Sequence, residues 1–184
     1  MSTAGRCAPG AADTSPPRLQ KRPPPGRLFL FSATRLRGKI PGMSAEVHLI
    51  TARNAHLLDT VADGVFEQPL SAGLLARYCA DPAQALFVAV LDGLVVGQLK
   101  SALHRHPEKP ANLFIEELST APELRRRGIA SMLIDAAIAH AATEGCAELW
   151  LATEPENDAA NALYKRLGLS GQHVVMYSRI LSER

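Results

Sequence analysis

The chain has 184 residues and a formal net charge of +2, long enough for one domain with a sizeable core. No apolar run approaches the ~20 residues of a membrane-spanning helix, so no membrane segment is expected. Three scattered cysteines, Cys7, Cys79 and Cys146, show neither CxxC nor metal-ligand spacing, and read as core thiols of a protein in a reducing cytoplasm.

Charge is unevenly placed. Residues 1–43 hold eight Lys/Arg and one Asp, a balance of +7, whereas residues 44–184 hold twelve Lys/Arg and seventeen Asp/Glu, a balance of −5. The first stretch contains Pro16-Pro17 and Pro23-Pro24-Pro25. It buries too little apolar surface to offset its ordering entropy and reads as a disordered extension. It is Arg-rich and acid-poor like a transit peptide, but its prolines break any amphipathic helix, and Met43 is a candidate true start. The extension's charge would suit nucleic acid or a membrane surface. The acidic domain suits neither, and neither is expected as a partner; its charge suits a cationic substrate.

Taken in order, residues 46–51 (EVHLIT) alternate as a first strand. Residues 54–66 and 71–79 read as helices, the second capped by Ser71, with Glu67-Gln68-Pro69 breaking the chain between them. Residues 85–91 (ALFVAVL) read as a buried strand, Asp92-Gly93 as a hairpin turn, and residues 94–103 as the return strand with a bulge at Gly97. A loop with two prolines spans 104–112, and residues 113–120 form the central strand. After a long helix stopped by Gly145, residues 147–153 (AELWLAT) form the next strand, with Trp150 expected in the core. Asn157 or Asp158 caps a helix over 159–167, Gly168 ends it, and residues 173–181 read as a final strand. His104 and His106 share a strand face but have no third ligand nearby, so no metal is expected.

The chemistry concentrates between Leu113 and His140, LFIEELSTAPELRRRGIASMLIDAAIAH. A strand carrying Glu116 and Glu117 enters, a basic turn with Gly128 follows, and a helix leaves. The first N–H groups of a helix lack partners and carry the positive end of its dipole. Gly128 admits an anion close to the backbone, and Arg125, Arg126 and Arg127 add charge. The expected ligand of the 125–130 turn is a phosphate or pyrophosphate.

The run from Leu118 to Ala130, LSTAPELRRRGIA, resembles the acetyl-CoA signature of the GCN5-related N-acetyltransferases (GNAT), [Q/R]-x-x-G-x-[G/A], with Arg125, Gly128 and Ala130 at its fixed positions. A second block from Asn157 to Gly168, NDAANALYKRLG, is similar to the family's N-x-x-A-x-x-L-Y-x-x-x-G. The resemblance covers roughly residues 46–184 and, within the superfamily, runs nearest to the short aminoglycoside 3-N-acetyltransferases. It implies an α+β, three-layer fold with a mixed central sheet flanked by helices, with residues 44–184 as the catalytic domain. It also implies acetyl-CoA as co-substrate and a homodimer paired through sheet edges.

Acetyl transfer to an amine must polarise the thioester, take a proton from the amine, and return one to the leaving thiolate. The resemblance assigns the first task to the backbone of Leu118, Ser119 and Thr120 along pantetheine. Arg125, Arg126, Arg127, Gly128, Ile129 and Ala130 would hold the pyrophosphate, and Asn157 and Asn161 would also touch the cofactor. The base candidates are Glu117, favoured by its alignment with an acidic position of the aminoglycoside branch, and Glu116. Neighbours on a strand point to opposite faces, so only one can face the cleft. Tyr164, in the LYxxxG block, is the acid candidate, since its phenol can donate to a thiolate. With Glu154, Glu156 and Asp158 also near the strand ends, a cationic small-molecule amine is expected, an aminoglycoside among the candidates. The competing readings are a protein N-terminal or lysine acetyltransferase and a non-catalytic acetyl-CoA-binding regulator.

Overall fold

A computed structural model describes residues 36–40 and 43–181. Six strands lie side by side in chain order: β1 (Leu36–Ile40), β2 (Met43–Leu49), β3 (Gln84–Leu91), β4 (Leu94–His104), β5 (Asn112–Thr120) and β6 (Glu148–Leu151). Neighbours from β1 to β5 pair antiparallel, and β5 pairs parallel with β6. The sheet is therefore mixed. Asp92 and Gly93, both at positive φ, close the β3–β4 hairpin, the geometry that matches strand twist best.

Three α-helices flank the sheet: α1 (Ala72–Ala80), α2 (Ile129–Thr143) and α3 (Asp158–Arg166). On one face, Ile129, Leu133, Ile134 and Ala137 of α2 pack on Phe87, Leu99, Leu113 and Ile115, with Leu163 and Tyr164 of α3 alongside. On the other, Leu86, Val88 and Val95 meet Leu58, Val65 and, from α1, Leu75 and Tyr78. The result is the expected three layers. Its central strand β3 is buried along nearly its whole length, which is why ALFVAVL shows no alternation.

Gly97 sits beside the irregularity in β4, where Ala89 pairs with Gly97 and Val90 with Val95, leaving Val96 extra. A Cβ there would stand 2.8 Å from Ile129 Cγ2 and 3.1 Å from the Ser119 carbonyl oxygen. The missing side chain lets the first turn of α2 press onto the sheet.

Four expectations are corrected. Residues 36–40, within the stretch read as disordered, form an edge strand on β2; residues 1–35 lie outside the described residues. The helix expected over 54–66 shrinks to a 3₁₀ turn, Ala55–Asp59. The chain beyond it gives its backbone to β4 instead: Val95 N–H donates to Thr60 O at 3.0 Å and Ala62 N–H to Val95 O at 2.9 Å, while Gly64 turns left-handed. The final strand expected at 173–181 takes up no sheet edge among the described residues, and Val174, Val175, Met176, Tyr177, Ile180 and Leu181 are 76–90 % exposed. Trp150 is not core. It is 39 % exposed and stacks on Phe114 with ring centroids 4.2 Å apart, because alternation along β6 turns Leu149 and Leu151, not Trp150, toward α2.

Candidate active site

The site begins with a bulge. Lys100 pairs with Glu117 and Ser101 with Ile115, so Glu116 is an extra residue on β5. Leu113 and Ile115 face the α2 core, and simple alternation would bury Glu117 there too. The extra residue reverses the parity. Leu118 joins the α2 side, whereas Glu117 and Ser119 turn to the α1 side, where Ser119 Oγ donates to the Val65 carbonyl. Glu116 is left exposed.

Glu117 is not solitary. Gln98 Nε2 donates to its Oε1 at 2.6 Å, and Lys100 Nζ forms an ion pair with its Oε2. The Glu117 and Lys100 side chains are 27 % and 33 % exposed, so the pair is partly wet. Neither partner was singled out from sequence, yet a signal was there. Gln98 and Lys100 are polar residues at i, i+2 on either side of Leu99, hence on one face. Lys100 also lies 5.9 Å from the Phe66 ring centroid. With Phe66, Glu67, Gln68, Pro69, Leu70 and α1 residues it lines an open pocket of about 230 Å³.

β5 and β6 part company immediately beyond this point. Their ladder runs only from Asn112–Glu148 to Ile115–Leu151, while β5 continues to Thr120 beside β4 alone. From Glu116 to Thr120 the β6-side edge of β5 therefore offers backbone groups with no ladder partner among the described residues. Leu118, Ser119 and Thr120 lie on this open edge, as expected for groups that meet an extended ligand.

The basic turn follows. Arg126 (φ 61°) and Gly128 (φ 89°) both adopt left-handed backbone, and α2 starts at Ile129 with no side-chain cap on its first N–H groups. Arg125, Arg126, Arg127 and Gly128 are exposed, Ile129 anchors the helix in the core, and Ala130 is small and half-buried. Alternating conformations of this kind turn successive N–H groups into a concave anion-binding surface. The residues present fit a pyrophosphate.

Tyr164 packs on the same core as Leu118, and burial pushes its phenol above the ordinary value of 10.0, which keeps it protonated. Asn157 uses both ends of its amide locally: Oδ1 accepts from Ala160 N–H at 3.2 Å as the cap of α3, and Nδ2 donates to Thr153 Oγ1 at 3.2 Å. Asn161 Nδ2 donates to the carbonyls of Glu154, Pro155 and Asn157. These two asparagines fasten the β6–α3 loop. Glu154, Glu156 and Asp158 are exposed on and after that loop. His104 lies against Phe114 and Trp150, and His106 against the Asn112 amide; among the described residues no three potential ligands gather around a metal site.

The parting of the edge strand β6 from β5, an uncapped helix start behind a basic left-handed turn, and a protonated phenol on the same core are features that would suit a long phosphorylated thioester. The chain belongs to the GNAT acetyltransferase family, whose match spans residues 53–169, and is an acetyl-CoA-dependent N-acetyltransferase. It is 29 % identical over 100 residues to aminoglycoside N(6')-acetyltransferase type 1 of Salmonella typhimurium, covering 52 % of this chain and 68 % of that protein. It is 30 % identical over 129 residues to L-2,4-diaminobutyric acid acetyltransferase of Nocardia farcinica, covering 70 % of this chain and 61 % of that one. Among solved structures, the aminoglycoside N-acetyltransferase AAC(6')-Iy in complex with CoA superposes with a TM-score of 0.63 at 22 % identity, over 78 % of this chain and all of that one. The sequence resemblance ran toward the 3-N branch, whereas these aminoglycoside relatives are named for the 6' amine. Among the described residues no helix is long and apolar enough to cross a membrane.

Proposed function

We propose that this chain moves an acetyl group from acetyl-CoA to a primary amine of a small molecule by direct attack, with Glu117 as base and Tyr164 as acid. The observation that carries the reading is the parting of β5 from β6 beyond Ile115–Leu151, with Glu117 on the α1 side and Tyr164 on the α2 side. A thioester lying in that split would present its carbonyl carbon to the α1 side and its sulfur toward Tyr164. The amine nitrogen forms the new C–N bond, its proton passes to Glu117 directly or through one water, the C–S bond breaks, and the thiolate takes the phenol proton. Backbone groups of Leu118–Thr120 would align the pantetheine arm, and the 125–130 turn would hold the pyrophosphate. The named relatives point to aminoglycosides or diamino acids as acceptors.

The test is thiol release from acetyl-CoA against aminoglycosides, polyamines, amino acids and short peptides, with acetyl-CoA binding followed by calorimetry. Release with a small amine is expected. Tyr164→Phe should lower kcat by about a hundredfold or more, as for loss of a general acid, with binding retained. Binding without release on any acceptor would move the protein to the sensor reading, and preference for peptides would move it to protein acetylation.

A further inference from the structure

We infer that Lys100 is a specificity residue, and that the preferred acceptor is an amine that also carries a carboxylate, an amino acid or short amino-acid-like molecule. The inference deepens the transfer reading and rests on it. The carboxylate proposed as base is already occupied by a cation of the protein itself: Lys100 Nζ pairs with one oxygen of Glu117, and Gln98 Nε2 with the other. Lys100 thus stands where an incoming ammonium would have to bind. An acceptor amine that reaches Glu117 displaces Lys100, whose side chain is only 33 % exposed.

The cost of that displacement depends on the acceptor. A pure polycation brings a second positive charge to Lys100 and leaves its ammonium without its anion at a half-dry site, which is unfavourable. A zwitterion exchanges one ion pair for two: its ammonium takes Glu117 and its carboxylate takes Lys100. The pocket beside Lys100 is lined by Phe66 and Leu75 for an aliphatic chain and by the exposed Glu67, a carboxylate for any further ammonium.

The experiment compares matched acceptors that differ only in the carboxylate: ornithine, its methyl ester and putrescine. Wild-type kcat/KM should favour ornithine over both by about tenfold or more, mostly through KM, the scale of a charge-assisted contact. Lys100→Met should bring the ornithine/putrescine ratio close to one, and Lys100→Arg, which keeps the cation, should retain the preference. Circular dichroism checks that both variants fold. Equal or better use of putrescine by the wild type, or a ratio that Lys100→Met leaves unchanged, overturns the inference while the transferase reading stands. Ornithine binding that Lys100→Met abolishes, without acetyl transfer, would support the carboxylate site and overturn the transferase reading. Neither binding nor transfer would overturn both.

Discussion

His140, in the last turn of α2, meets the edge of the Phe87 ring at 5.6 Å between centroids. Burial lowers its pKa from the ordinary 6.5, and Glu144 one turn on only partly opposes this. The native protein thus holds the ring neutral at a pH where the unfolded chain has begun to protonate. Below about pH 6.5 the unfolded state binds more protons, so stability is complete above that value and falls as the pH drops toward the lowered native pKa. The urea midpoint should fall between about pH 7.5 and pH 5.5, and His140→Gln should flatten that slope. An unchanged slope would show that other groups set it. Single residues were also where sequence was least informative. Tyr164 and the arginines were legible because each sits in a short local pattern. Gln98 and Lys100 were passed over because their importance comes from Glu117, nineteen and seventeen residues away, through a strand pairing that no local pattern encodes.

At the scale of elements, the seam between β4 and α2 is set by an absent side chain. Gly97 has ordinary negative-φ backbone, so substitution there is governed by space alone. Gly97→Ala places a methyl 2.8 Å from Ile129 Cγ2 and should cost about 1–3 kcal/mol of unfolding free energy, the usual range for overpacking. Because Ile129 opens α2, acetyl-CoA affinity should fall as well, and urea denaturation with calorimetry reads both. Stability and affinity equal to wild type would mean that α2 moves aside freely. The strand–turn–helix unit from β5 to α2 was legible because each of its parts is local: an apolar run, a glycine and a helical period. The 54–66 stretch was not. Its apolar spacing suited a helix, but its backbone found β4, a partner some thirty residues away.

Across the molecule, charge and fold class were readable from composition and element order, and the two GNAT blocks marked both ends of the site. The C-terminal segment was not readable, since a strand pattern becomes a strand only when an edge receives it. Six large apolar side chains from Val174 to Leu181 stand in solvent, and the outer side of β6 has no strand beside it among the described residues. Exposed apolar segments and open sheet edges both favour association. We propose that two copies pair through this segment. Light scattering should give a dimer mass, and truncation after Gly171 a monomer; a monomeric full-length protein would refute the pairing. The bulge at Glu116 carries a different lesson, one about mutation. Whether Glu117 meets substrate or the core depends on the bulge before it, not on its identity. Deleting Glu116 would remove the bulge together with its residue, and plain alternation after Ile115 would still turn Glu117 to the α1 side opposite Lys100, so the deletion, like Glu116→Ala, should be tolerated. The site is thus indifferent to a lost codon at this position but not to a strand straightened with Glu116 in place, and alignments that slide the gap onto Glu117 will misplace the base.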